Sequence, residues 1–183
     1  MRGIHHRDVG VLGALLLLDN IYYEIITDLN HLCPDMIRLI FRIQPYSKFC
    51  LISDSNYISG LPAGTYLRYG RENYADEKGL ILNSDGRICG SGSWVLRNIR
   101  QLVQVVGIPA EQAFYMASLY PARYLGIDQE TGSLRNGKRA DMIFVDEDFI
   151  CQRTFVGGKQ VFDRKEDMTE TILNAEAMKL KVK

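Results

Sequence analysis

The chain has 183 residues, enough for one domain with a real hydrophobic core. Apolar residues make up 46% and charged residues 24%, and 22 basic side chains balance 22 acidic ones. That neutrality excludes a general polyanion binder, so the expected partner is a small molecule or another protein, with no nucleic acid and no membrane. In chain order, the apolar run from Val11 to Leu18 is broken by Gly13 and is too short to cross a bilayer. It predicts a helix over Val9–Leu18, stopped at Asp19-Asn20. Ile21 to Thr27 is rich in β-branched and aromatic residues and predicts a strand ending at Asp28. Pro34 opens a helix at its first position, where proline costs no hydrogen bond. Within it Met36, Ile40 and Ile43 form an apolar stripe that ends before Pro45. Phe49 to Ile52 is a continuous apolar run, as suits a strand buried on both faces of a parallel sheet, and it ends at Ser53-Asp54. Helix, strand, helix, strand is the rhythm of a parallel α/β protein.

After Asp54 the rhythm breaks. Gly60-Leu61-Pro62-Ala63-Gly64 is turn chemistry, Thr65–Tyr69 and Gly79–Leu82 predict short strands, and Asp85-Gly86 marks another turn. Helix resumes with Ser93 as the expected N-cap, Val95, Ile99, Leu102 and Val106 as its apolar face, and Gly107 as its end. Further helices are predicted after Pro109 and over Pro121–Leu125. From Gly132 the pattern is β, with strands over Met142–Val145, Thr154–Val156 and Gln160–Phe162, the last two joined at Gly157-Gly158. The tail from Met168 to Lys183 is charged and reads as helical or frayed. Cys33, Cys50, Cys89 and Cys151 form no CxxC pair, which argues against a zinc ribbon or disulfide framework and for reduced thiols in the cytoplasm. Arg2, His5, His6 and Arg7 do not make a signal-peptide pattern.

Asp54 stands where a buried strand meets a glycine-rich loop, the end of a parallel strand at which α/β active sites are built. There it is either a general base or a turn-forming carboxylate. His31, in Asp28-Leu29-Asn30-His31, follows the other strand on the same rim and is either a substrate contact or a surface loop histidine. His5, His6 and Arg7 precede a helix, as a phosphate site or a solvated basic segment. Gly90-Ser91-Gly92-Ser93 can wrap an anion or a sugar with its N–H groups, or serve as loop and cap.

Together these segments resemble the N-acetylglucosamine-6-phosphate deacetylases of the amidohydrolase superfamily. Met1 is similar to the last residue of the family's His-x-x-Asn-Ala-Met, and Arg7-Asp8-Val9-Gly10 to its Arg-[Glu/Asp]-x-Gly. Asp28-Leu29-Asn30-His31 resembles Asp-Gly-x-His, and Leu51-Ile52-Ser53-Asp54 resembles Leu-Val-Thr-Asp. Gly60 to Gly64 resembles Ala-Gly-Leu-Pro-x-Gly, and Gly86 to Ser91 resembles Gly-x-[Leu/Ile]-Ala-Gly-Ser. Met116 to Arg123 resembles Met-Ala-[Ser/Thr]-x-x-Pro-Ala-Arg, and Gly132 to Asp141 resembles the superfamily's Gly-x-Leu-x-x-Gly-Lys-x-Ala-Asp. Departures fall at Leu29-Asn30, where a Gly-x pair is usual, at Ser55-Asn56, and at Trp94.

The resemblance implies the carboxy-terminal part of a metal-dependent (β/α)8 TIM-like barrel plus part of a small β-sandwich domain. Residues 1–130 would be barrel, with a β excursion at about 60–90, residues 131–163 the β domain, and 164–183 a charged tail. It implies hydrolysis of N-acetylglucosamine 6-phosphate to glucosamine 6-phosphate and acetate, with Asp54 carrying the proton from a metal-bound hydroxide to the departing amine. His31 would contact the acetamide, Arg7 the 6-phosphate, and Ile88, Cys89 and Gly90 would line the substrate pocket. The divalent metal, zinc or iron, would be held by a Glu and two His that lie amino-terminal to Met1, so no metal ligand falls on this chain. The resemblance thus implies an inactive truncated chain. The alternatives are a half-length protein that docks on a separate amino-terminal half, or an amidohydrolase for another N-acyl sugar or cyclic amide. The full-length family is expected to be a homodimer, and this chain to self-associate or to need the missing half.

Overall fold

In the computed structural model, residues 4–68 and 70–165 are described, so the tail from Met168 onward lies outside them. Strand β1 (Tyr23–Ile25) and strand β2 (Phe49–Leu51) pair in parallel, with Tyr23 opposite Phe49 and Ile25 opposite Leu51. Helix α2 (Pro34–Ile43) and a 3-10 turn at Tyr46–Lys48 connect them, while helix α1 (Gly10–Leu16) precedes β1. β2 is buried along its length, as its unbroken apolar run predicts. In α2, Pro34 sits in the first turn with Asp35, and Arg42 lies in the last turn, both charges matching the helix dipole. The buried face of α2 is Ile37 and Ile40, followed by Gln44, rather than Met36, Ile40 and Ile43. Ile43 is 44% exposed. Both triplets satisfy helical spacing, and Gln44 selects between them, because its Nε2 donates 2.8 Å to the Leu16 carbonyl and draws that side inward.

Helix α3 (Val95–Gln101) runs into one π-helical turn at Leu102–Val106, which Gly107 ends in the left-handed region at φ 86°. Ile99, Leu102 and Val106 are buried as the periodicity predicts. The N-cap position is Trp94, not Ser93, which spends its hydroxyl on Asn98 Oδ1 at 2.7 Å. Arg38 of α2 closes the other end, donating from Nε to the Val106 carbonyl and from Nη2 to that of Val105. Helices α4 (Ala110–Ala117) and α5 (Leu119–Tyr124) complete the main core, in which Leu16, Ile37, Phe49, Leu102, Ala113 and Met116 meet.

The stretch after Asp54 is a four-stranded antiparallel meander, β3 (Gly64–Arg68), β4 (Arg71–Ala75), β5 (Leu80–Asn83) and β6 (Ile88–Ser91). β4 and β6 have no strand-like composition. β4 buries only Asn73 and Ala75, and β6 contains Gly90, so pairing with β5 rather than propensity makes them strands. Ile58, Ala75 and Ile81 form a second, small core beneath this sheet. A second meander, β7 (Met142–Val145), β8 (Cys151–Val156) and β9 (Lys159–Asp163), matches the predicted strands with β8 extended to Cys151. The Gly-Lys-x-Ala-Asp segment serves it structurally. Lys138 Nζ donates to loop oxygens of Asp128 and Ser133, and Asp141 accepts the Gly157 N–H at the β8–β9 turn.

The β1–β2 sheet has only two strands among the described residues, and Val11, Leu17, Leu18 and Tyr22 nearby are exposed. Such a sheet relies on the helices packed against it. Leu102→Ala, a fully buried truncation between α2 and α4, is therefore expected to cost about 2–5 kcal/mol in chemical denaturation. Leu134→Ala, at 75% exposure, should stay within about 0.5 kcal/mol of the parent.

Candidate functional site

Parallel pairing brings the carboxyl ends of β1 and β2 to one rim, and the Ile52 N–H continues the ladder by donating to the Ile25 carbonyl at 3.1 Å. Asp28 follows β1 and Asp54 follows β2, each three residues past the strand end (25 to 28, 51 to 54). Asp54 is exposed and holds a left-handed backbone at φ 50°, which is uncommon outside glycine. Its carbonyl accepts the Ser91 N–H at 2.9 Å, and Ser55 forms a parallel bridge with Ser91. Gly90 makes this approach possible. A Cβ there would stand 2.8 Å from the Asp54 oxygen, and its own φ is 81°. Asn56 Nδ2 donates to the Cys89 carbonyl at 2.6 Å, and Ser59 Oγ donates to the Ser91 carbonyl at 2.6 Å. The loop after β2 is thus fastened along β6.

Asp28 is the buried centre of the rim, its side chain 1% exposed. Oδ1 accepts the N–H groups of Asn30 and His31, both at 3.0 Å, and Oδ2 accepts the Ser91 hydroxyl at 2.7 Å. His31 Nδ1 lies 3.1 Å from Oδ1 and 3.0 Å from Oδ2. Burial alone would raise this carboxyl. The His31 N–H, the Ser91 hydroxyl, the Asn30 N–H and the charge of His31 outweigh it and hold Asp28 below the usual carboxylate range. Behind the rim, buried Asn98 of α3 ties both strand ends to one helix. Its Nδ2 donates to the Ile52 carbonyl, its carbonyl accepts the Thr27 hydroxyl, and its Oδ1 accepts Ser93 Oγ.

The structure therefore joins Asp54, His31, Cys89 and Gly90 through Ser91 and Asp28. Ile88 opens β6 and is exposed. Arg7 stands apart, in an exposed turn closed by the His5–Asp8 bridge, its N–H on His5 Nδ1. No hydrogen bond or ion pair among the described residues links its side chain to the rim. Asp28 and Asn98 are not candidates on sequence grounds, and Ser91 is one only through the N–H groups of the Gly90–Ser93 loop, not through the hydroxyl that meets Asp28. Asn98 carried a signal, because it falls on the apolar side of α3 beside Ile99, where a polar residue must be satisfied.

Two cavities flank the rim. One of ≈ 980 Å³ is lined by Ser53 and Ser55, on either side of Asp54, and by Trp94, Arg97 and Phe149. The other, of ≈ 680 Å³, touches Asn56, Tyr57, Arg71, Asn73 and Cys89. Among the described residues no three His, Cys, Asp or Glu side chains gather as a metal site, and the Asp28 oxygens already accept four donors. The described residues do not by themselves fit a divalent metal.

The Amidohydrolase family model matches residues 14–161. The chain is 39% identical over 163 residues to an N-acetylglucosamine-6-phosphate deacetylase of Vibrio furnissii, a match that covers 89% of this chain and 40% of that protein. It is 33% identical over 159 residues to a putative N-acetylgalactosamine-6-phosphate deacetylase of Escherichia coli K12, covering 87% of this chain and 94% of that one. The crystal structure of the N-acetylglucosamine-6-phosphate deacetylase from Pasteurella multocida superposes with a TM-score of 0.79 at 30% identity, over 87% of this chain and 41% of the other. The chain thus spans about two fifths of the length of the Vibrio and Pasteurella proteins.

Two outcomes follow from the rim geometry. Gly90→Ala should cost about 1–3 kcal/mol more in urea denaturation than Gly137→Ala, whose φ of 87° is similar but whose Cβ would meet nothing within 4 Å. Equal losses would mean that the close approach to Asp54 carries no energy. Asp28, held low in the folded state, contributes stability that is fully present above its unfolded value of about 3.9 and is lost as pH falls through its folded value. In acid titrations of unfolding free energy, Asp28→Asn should leave a shallower loss below about pH 4. Asp141 and Asp146, lowered chiefly by the N–H groups of Gly157 and Ile150, keep part of the slope.

Proposed function

Because the chain belongs to the amidohydrolase family, we propose that its rim is the proton-transfer and substrate-contact part of an N-acetyl amino-sugar 6-phosphate deacetylase. The reaction is cleavage of the acetamide of N-acetylglucosamine 6-phosphate to glucosamine 6-phosphate and acetate. The observation that carries this reading is the joining of Asp54, His31 and Gly90 at the carboxyl ends of two parallel strands by Ser91. Asp54, exposed on a fixed backbone, takes a proton from the attacking water and returns it to the leaving nitrogen. His31 and the Ile88 to Gly90 strand contact the sugar, and Arg7 the phosphate. In this reading the βαβ unit is the last pair of strands of a (β/α)8 barrel, and β7 to β9 belong to a small β-sandwich domain. The corresponding division is residues 1–130 and 131–163, and the protein is cytoplasmic. No helix among the described residues is long and apolar enough to cross a membrane.

The zinc or iron that the resemblance implies finds no donor set in the described residues, so hydrolysis requires ligands from outside them. The two-stranded sheet and the exposed Val11, Leu17 and Leu18 support association with a body that carries them. A half-length protein that docks on a separate amino-terminal half is the second reading. The Escherichia coli K12 relative, matched over 94% of its length, is of comparable span. That relative's name, with galactosamine in place of glucosamine, keeps the substrate class open to other N-acyl amino-sugar phosphates.

The test is release of glucosamine 6-phosphate by the purified chain with zinc, alone and mixed with the amino-terminal portion of the Vibrio furnissii enzyme. The expected outcome is no turnover alone and turnover in the mixture, reduced about 10²–10⁴-fold by Asp54→Asn. Turnover by the chain alone would overturn the need for outside ligands. An unimpaired Asp54→Asn mixture would overturn the role of Asp54.

A further inference from the structure

We infer that Asp28 is a positioning residue that fixes His31 with its proton on Nδ1, and that Ser91 couples this arrangement to the Asp54 loop. The geometry leaves one assignment. Asp28 is an acceptor-only carboxylate, and each group on it is a donor: two backbone N–H groups, the Ser91 hydroxyl and His31 Nδ1. A nitrogen 3.0 Å from one carboxylate oxygen and 3.1 Å from the other carries the hydrogen. The depressed ionisation of Asp28 agrees with an anionic partner. His31 Nε2 makes no hydrogen bond among the described residues, and the side chain is 21% exposed, so the ring turns its other nitrogen outward.

Neutral His31 then offers a lone pair, not a proton, at Nε2. It accepts hydrogen from a sugar hydroxyl, and it can donate to an acetamide oxygen only as the imidazolium. Ser91 extends the control. Its hydroxyl donates to Asp28 while its backbone N–H donates to the Asp54 carbonyl, so one residue meets both the Asp28–His31 pair and the Asp54 backbone. Ser91 is itself held, since its Oγ accepts the Ser93 N–H at 3.0 Å and its carbonyl accepts Ser59 Oγ. This inference rests on the deacetylase reading only for the role of His31 toward a sugar. The tautomer is a property of the chain alone.

The experiment is long-range 1H–15N correlation of the imidazoles in the full chain at about pH 8, where ordinary histidines are neutral. Only His5, His6 and His31 contribute, and His31→Gln assigns the signal. The expected spectrum shows His31 protonated at Nδ1, with an unprotonated-nitrogen shift at Nε2. In Asp28→Asn the amide nitrogen can face the ring as a donor, and the tautomer should reverse. In Ser91→Ala, which keeps the carboxylate, it should not. Wild-type His31 protonated at Nε2 or a reversed Ser91→Ala would each overturn the assignment. The wild-type and Ser91→Ala spectra decide it if Asp28→Asn does not fold. Failure here leaves the turnover of the mixed enzyme untouched, so the two readings fall separately.

Discussion

A carboxylate removed from water must be met by donors on all its lone pairs, and the rim of this protein is organised around that demand at Asp28. An uncompensated buried charge costs several kcal/mol, and a hydrogen bond to a charged group contributes about 1.5–3 kcal/mol. One or two donors would leave a deficit. Asp28 gathers four, from its own turn, from His31 and from β6. The consequence is mechanical. The loop after β1, the imidazole and the strand that carries the glycine-rich segment are held in one arrangement, because any other leaves the charge exposed to an apolar surrounding.

The same economy appears one layer down, where polar groups of α3 take over what strand pairing does not. Beyond Ile25 and Leu51 the ladder is nearly exhausted, and the chain still has to place Asp28 and Asp54 on one rim. Asn98 reaches both sides, with its amide on the Ile52 carbonyl and its carbonyl under the Thr27 hydroxyl. Burying this amide is tolerable because it is satisfied, with Ser93 supplying the remaining contact. This explains why Ser93 is not a helix cap: its hydroxyl is committed to Asn98, and the helix begins at Val95, after Trp94, without a side-chain cap.

What could be read in advance follows from the same physics. A strand buried on both faces announces itself by a continuous apolar run, as Phe49 to Ile52 does. Ile21 to Thr27, with Glu24 exposed in its middle, was legible instead from its β-branched and aromatic content. Together they located the rim, and strand ends located Asp54 and His31. β4 and β6 were invisible, because Arg-Glu-Asn-Tyr-Ala and Ile-Cys-Gly-Ser become strands only through their partner β5. Periodicity could not choose between two faces of α2 that share Ile40, since the deciding contact, from Gln44 to the Leu16 carbonyl, joins residues 28 apart. Asp28 looked like a strand terminator for a similar reason. Its partner Ser91 lies 63 residues on, in a segment whose sequence offers backbone N–H groups for a ligand or a cap but gives no sign of a strand or of a hydroxyl committed to Asp28.

The backbone at Leu29 and Asp54 extends the argument from charge to strain. Three non-glycine residues among those described adopt positive φ, and two of them, Leu29 at 65° and Asp54 at 50°, stand at the ends of the two rim loops. Each such residue costs about 1–3 kcal/mol and persists only where its surroundings over-determine it. At Asp54 the fixing contact is the Ser91 N–H on its carbonyl. At Leu29 it is the pair of N–H groups that follow, both on Asp28, while the leucine side chain packs against the main core. The resembling family places glycine at that position, the residue that takes this conformation without penalty. Leu29 takes this conformation at a cost that the Asp28 network offsets. The strained backbone at both positions, the buried charge and the His31 ring form one mechanical unit through Ser91, and a change that loosens Asp28 releases them together.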